Sequence, residues 1–391
     1  MSKIKKIEVF FLEYPFPKKL NYKYSAGVVD NMIVPVVKLT DNNNNYGLGE
    51  ITHGQFTHEP IIGLIKHFSN LLKNSESENI NQAWEKMYGS SVFWNREGVG
   101  VGVMGGINIA MYDLLGKRMQ IPTYKLLGGI QKEKIRIYAS NGLFDNPKQL
   151  LADAKKAYSL GFRVYKMRVI NPDTIIDLVK SFNKKFRNKM QLIVDAVQGS
   201  SANPWATKVS INLAKKLEKE EIVFLEEPFR VENLKGYKDI KKFTLLNIAG
   251  AESIPTARAF KKYLEEDVFD ILQFDIATSG FTEGRRIADL AYVHNKSLAI
   301  HSWGSAISIM AGLHFSLTIP NSAFTEYCFM DHPINDDLFE DGKLTITNGY
   351  VQNPKTYGLG IKFNEKIISK YPYREKINTM ISTAEEDIKL V

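Results

Sequence analysis

Residues 135–139 read Ile-Arg-Ile-Tyr-Ala, and residues 162–169 read Phe-Arg-Val-Tyr-Lys-Met-Arg-Val. An amphipathic segment of helical length, 147–160, lies between these two strand-like runs, so the stretch predicts one β/α/β unit. Six more strand candidates follow, most of them separated by another helix-length segment: 191–196, 222–227, 246–251, 271–276, 297–301 and 323–327. Eight strands in this rhythm predict a parallel barrel or a doubly wound parallel sheet.

The polar residues near the strand ends distinguish these two folds. They are Lys166 with Arg168, Asp195, Glu226, Glu252, Asp275, His301 and Glu326. In a barrel, one such residue per repeat converges on the C-terminal mouth, where active sites lie. In an open sheet the same residues would be spread along a line. We therefore predict a TIM barrel of the α/β class for residues 131–330.

The preceding residues, 1–130, have the pattern of an α+β domain. Strand-like runs at 4–13 and 32–40 are followed by helical spacing at 59–72, 81–87 and 105–117, and Pro122 and Gly128-Gly129 end the region. After Asp331 the β/α rhythm is lost, and 342–351 predicts a short hairpin around Asn348-Gly349. We expect the segment 331–391 to return to the first domain.

Composition narrows the class of protein. The 51 basic and 43 acidic residues give a net charge of +8, but the lysines alternate with acids and do not cluster as nucleic-acid binding requires. Cys328 is the single cysteine, which excludes an intrachain disulfide and favours a reducing cytoplasm. No apolar run approaches the roughly 20 residues that span a bilayer. We expect a soluble, unprocessed cytoplasmic protein that binds neither nucleic acid nor membrane.

Three of the strand-end residues, Asp195, Glu226 and Glu252, follow one another on successive strands. Three buried carboxylates that point into one space repel each other unless a cation neutralises them. Oxygen ligands favour a hard ion, so the pattern predicts magnesium, with manganese as the alternative.

The other strand-end residues have the chemistry of proton transfer. Lys166 and Arg168 are two positions apart on a strand, so both side chains point to the same face. Asp275 and His301 end adjacent strands, and a carboxylate that accepts from one imidazole nitrogen makes the other a better general base. Glu326, if protonated, would hydrogen-bond a substrate carboxylate.

These residues and their surroundings resemble the mandelate racemase-like subgroup of the enolase superfamily. The motifs that carry the resemblance are Ile107-Asn-Ile-Ala-Met-Tyr-Asp-Leu-Leu-Gly-Lys117, Leu126-Leu-Gly-Gly129, Lys166-Met-Arg168, Asp195, Glu226-Glu-Pro228, Glu252, Asp275 and His301-Ser-Trp-Gly304. The resemblance implies an α+β capping domain over a (β/α)₇β barrel. It also implies the magnesium ligands named above, a His301/Asp275 dyad opposed by Lys166 and Arg168, and Glu326 near the oxygen of an enolate.

Two departures from the family pattern bear on the reaction. Many relatives carry lysine where Arg168 stands, and arginine is a poor general base, which argues against a two-base racemisation. Many relatives also carry asparagine two residues after the first ligand, where this chain has Val197. We therefore favour dehydration of a sugar acid to a 2-keto-3-deoxy acid, with a racemase, epimerase or lactone cycloisomerase as the alternative. A barrel that only binds an acid is a third hypothesis.

Substrate specificity is expected in two loops of the first domain, 22–26 and 52–58. Both are polar and aromatic and stand next to strands, which suits loops that cover a barrel mouth. We predict Tyr24 and His53, together with Lys166, as substrate contacts.

Overall fold

The computed structural model describes residues 2–20, 22–24, 27–169, 171–374 and 381–382. The first part of the chain forms an antiparallel sheet in the order β1-β4-β5, followed by helices. Its elements are β1 (Ile4–Pro15), β2 (Tyr22–Tyr24), β3 (Gly27–Val29), β4 (Asn31–Asp41), β5 (Tyr46–Glu50), α1 (Glu59–Leu72), α2 (Ile80–Ser91), α3 (Val99–Met119) and α4 (Thr123–Leu126). The predicted α+β character of this region is confirmed.

The second part is a closed parallel barrel, because its last strand pairs with its first. Within the described residues it has eight strands: β6 (Lys134–Ser140), β7 (Val164–Arg168), β8 (Gln191–Asp195), β9 (Leu225–Glu226), β10 (Ile248–Gly250), β11 (Ile271–Leu272), β12 (Ser297–Ile300) and β13 (Ser322–Cys328). The connecting helices are α5 (Pro147–Ser159), α6 (Ile175–Phe186), α7 (Thr207–Leu217), α8 (Leu234–Ile240), α9 (Ala257–Glu265), α10 (Ile276–Val293) and α11 (Ala306–Ser316). The predicted (β/α)₇β barrel is confirmed.

One apolar side chain from each strand fills the barrel interior, except at β9, where the residue just before the strand takes this place. This plug consists of Tyr138, Val164, Ile193, Phe224, Ala249, Ile271, Ala299 and Phe324. On five strands the strand-end residue of interest lies two positions after the plug residue. Since side chains two apart on a strand share a face, the charged residues form the next layer toward the C-terminal mouth.

The first domain is fixed to the barrel by the motif in α3. Helix α10 is interrupted at Gly280, whose φ is 64°. The side chain of Asn108 accepts hydrogen bonds from the Phe281 and Thr282 N–H groups, at 2.8 and 3.1 Å, and so caps the second half of α10. Asp113 accepts from the N–H groups of Leu48 and Leu359. These buried bonds explain why both residues stand in an otherwise apolar helix.

Helix α3 begins at Val99 and not near the predicted residue 105. The segment 100–106 contains four glycines, which lower its intrinsic helix propensity. For this reason the sequence predicted a helix start several residues too late. Tertiary packing overrides the propensity, because α3 lies directly on β5. By length and apolar composition α3 could also cross a membrane, but most of it is buried inside the protein.

The segment after the barrel contacts both domains. It contains α12 (Ile334–Leu338), β14 (Tyr350–Gln352), α13 (Lys366–Lys370) and β15 (Ile381–Ser382). β14 pairs antiparallel with barrel strand β6. The predicted hairpin over 342–351 is present only as a tight turn at Asn348 and Gly349, because the described residues before the turn pair with β14 through the single bridge Thr347–Tyr350 and form no strand. Further on, the Tyr371 carbonyl accepts from the Glu13 N–H in β1.

The close approach of β5 and α3 gives a first prediction. A Cβ added at Gly49 would lie 2.0 Å from the carbonyl oxygen of Gly106, so backbone must move. We expect Gly49→Ala to lower the free energy of unfolding by about 1–3 kcal/mol, measured by urea denaturation.

Gly63 provides the matched control for this prediction, because it lies in α1 with no atom within 4 Å of an added Cβ. Gly63→Ala should raise the free energy of unfolding by about 0.5–1 kcal/mol, since alanine loses less backbone entropy in a helix. Equal midpoints for the two variants would contradict the packing argument.

Candidate active site

Strand register places three of the predicted residues at one height in the barrel. Arg168 is paired with Asp195, and Asp195 with Glu226, in neighbouring parallel strands. Asp275 and His301 face each other in an isolated parallel bridge just beyond β11 and β12. All five side chains are buried, so the C-terminal end of the barrel concentrates charge in a space with little water.

The Lys166 ammonium group is the centre of an ion-pair network. It contacts the carboxylates of Glu226, Asp195 and Glu326, at 3.2 Å from Asp195 Oδ2 and 3.4 Å from Glu326 Oε1. Burial alone would lower the pKa of Lys166, but these carboxylates hold it well above its usual value. In this arrangement Lys166 is a fixed cation.

Arg168 lies beside Lys166, as the spacing of the two residues on one strand predicts. Its Nε is 3.4 Å from Asp195 Oδ2, and its Nη2 is 3.5 Å from Glu326 Oε1. Its guanidinium also lies over the Trp303 ring, 5.2 Å from the centroid. Burial alone would lower the pKa of Arg168, but the charges of Asp195 and Glu326 outweigh this effect and raise the pKa above its usual value. This side chain therefore cannot act as a base at neutral pH.

His301 and Asp275 form a close pair. The distance from His301 Nδ1 to Asp275 Oδ2 is 2.5 Å. Burial would lower the pKa of His301, but the charges of Glu326, Glu252 and Asp275 raise it to about 10. Nδ1 therefore donates to Asp275, and Nε2 points toward Glu252 and Glu326, at 3.2 and 3.5 Å.

Glu326 lies between the two cationic sides of the site. Its Oε1 faces Lys166 and its Oε2 faces His301. Burial raises the pKa of this carboxyl, but Lys166, His301 and Arg168 together bring it below its usual value. The protonated form that would donate to a substrate is disfavoured while all three cations are present.

The three predicted metal ligands are only partly brought together. Asp195 and Glu226 share Lys166, whereas Glu252 turns toward His301. Among the residues that the structure describes, no three Asp, Glu, His or Cys side chains surround one point at metal-ligand spacing.

The chemistry of the site nevertheless fits a hard divalent ion. Burial and the charge of Asp195 raise the pKa of Glu226, as expected of a carboxylate with too little positive charge nearby. The donors are all oxygens, and they follow three adjacent strands at the same mouth.

A cavity of about 410 Å³ opens above these residues. Arg168, Asp195, Glu252, Asp275 and His301 line it from the barrel side, and Thr52, His53 and Phe56 line it from the first domain. His53 therefore lines the cavity, and its role as a substrate contact stays a prediction. The predicted contact Tyr24 falls on strand β2, but its side chain lies outside the described part of the structure.

Sequence reasoning missed several residues that shape this site. In the first domain, Thr52 donates a hydrogen bond to Asp275, and Glu50 accepts one from the loop after His301. In the barrel, Gln273 donates to Glu226 Oε2 at 2.8 Å. Gln273 stands two residues before Asp275, so the strand period could have identified it. The contacts of Thr52 and Glu50 join residues more than 200 positions apart and leave no local signal.

Val197 forms part of the cavity wall in an unusual backbone conformation. Its φ is 52°, in the left-handed region that a β-branched residue rarely adopts. Its N–H donates to Asp195 Oδ1 at 2.8 Å, which fixes the turn after β8. The side chain presents a hydrocarbon surface to the cavity where a polar residue would have offered a hydrogen bond.

Comparisons with known proteins agree with this architecture. Residues 6–128 match the N-terminal domain model of mandelate racemase / muconate lactonizing enzyme, and residues 149–367 match the enolase C-terminal domain-like model. An arabinonate dehydratase from Saccharolobus solfataricus is 26% identical over 87% of this chain and 91% of its own.

Solved structures agree as well. The 3,6-anhydro-D-galactonate cycloisomerase from Zobellia galactanivorans superposes with a TM-score of 0.83 at 29% identity, covering 94% of this chain and 99% of its own. A racemase from Streptomyces coelicolor A3(2), described with bound magnesium, shares the fold with a TM-score of 0.83 at 22% identity, covering 94% of this chain and 99% of its own. The chain therefore belongs to the enolase superfamily, with the capping and barrel domains of the mandelate racemase / muconate lactonizing enzyme group.

Proposed function

We propose that this enzyme dehydrates a sugar acid in a magnesium-dependent reaction, through an enolate formed by abstraction of the α-proton. The observation that carries the proposal is that His301 and Arg168 both line the cavity, while His301 and the buried Lys166 stand 3.5 and 3.4 Å from the two oxygens of Glu326. A substrate in this cavity would contact both a group that can transfer a proton and a fixed cation. The similarity to a relative named arabinonate dehydratase supports a sugar acid as substrate.

In the proposed first step, His301 Nε2 takes the proton from the α-carbon. Asp275 holds the opposite nitrogen, so the imidazole keeps one tautomer and its positive charge is stabilised after the transfer. Breaking this C–H bond moves negative charge onto the substrate carboxylate. Lys166 and Arg168, both held in place by Glu326, are proposed to stabilise this charge as it develops.

We propose Asp195, Glu226 and Glu252 as the ligands of the metal ion. When bound, magnesium supplies a divalent positive charge that stabilises the carboxylate of the enolate, a contribution of several kcal/mol. For Glu252 this role requires the side chain to leave its ion pair with His301. That release would also remove one of the carboxylate charges that raise the pKa of His301, so that Nε2 can lose its proton and then act as the base.

In the second step the electron pair of the enolate expels the hydroxyl group from the β-carbon. The proton that His301 has taken can be returned to this hydroxyl, so that water leaves and an enol remains. Tautomerisation of the enol gives a 2-keto-3-deoxy acid. One C–H and one C–O bond break, one C–C double bond forms, and no oxidant or reductant is required.

A screen of sugar acids with magnesium tests the proposed function directly. The expected result is formation of a 2-keto acid from at least one member, abolished by a chelator. The alternative is racemisation, epimerisation or lactone cycloisomerisation through the same enolate. The similarity to a cycloisomerase structure at 29% identity supports the last of these as a second candidate. Deuterium incorporation with inversion, and no keto acid from any substrate, would establish racemisation or epimerisation.

Arg168→Lys distinguishes a positioning cation from a second base. If Arg168 only supplies fixed charge, the lysine variant should retain dehydration with kcat lowered by about 10-fold, because charge survives and the two-pronged hydrogen bonding is lost. In heavy water, the wild-type enzyme should exchange little deuterium into recovered substrate on the face opposite His301. Rapid exchange on that face would identify Lys166 or Arg168 as a base.

The remaining assignments are proposals of the same kind. His53, Tyr24 and Lys166 are proposed to contact the substrate, and the domains are proposed to span residues 1–130, 131–330 and 331–391. We propose a soluble cytoplasmic protein, which is consistent with the single buried cysteine and the buried position of α3. A homo-oligomer is proposed as well, to be tested by size-exclusion chromatography with light scattering.

A further inference from the structure

Residues 50–53, Glu-Ile-Thr-His, connect the first domain to both members of the His301/Asp275 pair. Glu50 ends β5, and Thr52 begins a short 3₁₀ turn, Thr52–Gln55. The Thr52 hydroxyl donates a hydrogen bond to Asp275 Oδ1 at 3.0 Å. A residue of the capping domain thus contacts a carboxylate that stands beyond the sixth barrel strand.

The Asp275 carboxylate is held on both oxygens. Oδ2 faces His301 Nδ1, while Oδ1 accepts from the Thr278 N–H at 2.6 Å and from the Thr52 hydroxyl. The terminal torsion of an aspartate is soft, so its rotation is set by its hydrogen-bond partners. Thr278 belongs to the same barrel element as Asp275, whereas Thr52 adds an anchor from the other domain. Together they direct Oδ2 at the imidazole.

Glu50 binds the segment that follows His301, on the other side of the His301/Asp275 pair. Its carboxylate accepts from the Ser305 hydroxyl at 2.6 Å, from the Ser305 N–H at 3.0 Å and from the Ser308 N–H at 3.1 Å. These donors lie at the start of α11, directly after the loop that follows His301. A fully buried carboxylate requires such donors, so this contact fixes the loop to the capping domain.

We propose that residues 50–53 position the dyad, with Thr52 orienting Asp275 and Glu50 anchoring the loop behind His301. The inference rests on the proposed function, in which His301 is the base. Thr52 is a positioning residue, because its hydroxyl acts on His301 through Asp275. The capping domain is therefore part of the proton-transfer apparatus as well as a cover for the cavity, and its docking is required for a competent base.

Thr52→Val removes the hydroxyl and keeps the shape of the side chain. We expect kcat to fall about 10- to 100-fold, the usual effect of losing a hydrogen bond to a charged group, with KM unchanged within about twofold. Thr52→Ser should restore most of the loss. Thr174→Val is the matched control, since it also removes a threonine hydroxyl bond, to the Asn171 carbonyl at 3.1 Å, but outside the cavity. Its kcat should equal that of the wild type.

A second readout needs no substrate. In ¹⁵N-histidine-labelled protein, the Nδ1–H proton of His301, assigned by its loss in His301→Asn, should exchange slowly with solvent because Asp275 accepts it. Thr52→Val should speed this exchange about 10-fold or more, and Thr52→Ser should not. If Thr52→Val does not fold, Thr52→Ala removes the same hydroxyl without adding a methyl group and takes its place.

The outcomes separate the two proposals. Unchanged kcat and unchanged proton exchange in Thr52→Val would overturn the positioning role. A lower kcat with unchanged exchange would also overturn it, since Thr52 would then act on the substrate itself. If the wild-type enzyme converts no acid while the exchange still responds to Thr52, the proposed function fails and the positioning role stands.

Discussion

His301→Asn is expected to lower kcat by about 10²–10⁴-fold, the usual contribution of a general base. Asparagine has no group that can take a proton at neutral pH. The fold should survive, because Asp275 keeps its hydrogen bonds from the Thr278 N–H and the Thr52 hydroxyl. The measurement is steady-state turnover of the sugar acid identified by the screen, together with circular dichroism to verify folding.

His294→Asn is the control for this substitution. His294 is an exposed residue at the end of α10, so the same chemical change there should leave kcat as in the wild type. Retention of more than about a tenth of the wild-type kcat in His301→Asn would rule out the proposed role of His301 as the base.

The second large effect is expected for Glu226→Gln. Loss of an outer-shell partner alone costs about 10- to 100-fold in metal affinity, so loss of a charged ligand should cost about 100-fold or more. The amide would also place a donor near the donors Lys166 and Gln273, which both contact the wild-type carboxylate. Magnesium affinity is measured by calorimetry, and kcat at subsaturating magnesium should fall with it.

Glu232→Gln removes the same charge from an exposed position in the loop after β9, and it should leave magnesium affinity and turnover unchanged. If Glu226→Gln bound magnesium as tightly as the wild type, Glu226 would not be a ligand. The three-carboxylate assignment would then have to be abandoned.

The barrel and its reactive layer could be predicted because their determinants are local. A strand places every second side chain on one face, so Phe224 in the plug and Glu226 above it follow from sequence spacing alone. The same regularity aligns Arg168, Asp195 and Glu226 across three strands. The lengths of the strands could not be predicted as well. The sequence predicted a strand over 271–276, but β11 covers only Ile271–Leu272, and Asp275 pairs with His301 beyond it through a single bridge.

The partners of each charged residue could not be read from the sequence. The position of Lys166 between Asp195 and Glu226 depends on how side chains from different strands extend into the barrel. The bonds of Thr52 and Glu50 depend on how the capping domain docks. Such contacts result from tertiary packing, and neither periodicity nor charge pattern encodes them.

The apolar plug has a consequence for the traffic of molecules through the enzyme. Within the described residues, eight buried side chains close the barrel from below, so we expect the expelled water molecule and the product to leave on the side of the cavity lined by Thr52, His53 and Phe56. Entry and exit thus share one gate, and substrate cannot enter until the previous product has departed. If opening of this gate limits turnover, kcat should fall as solvent viscosity rises, and it should show little primary isotope effect from deuterium at the α-carbon.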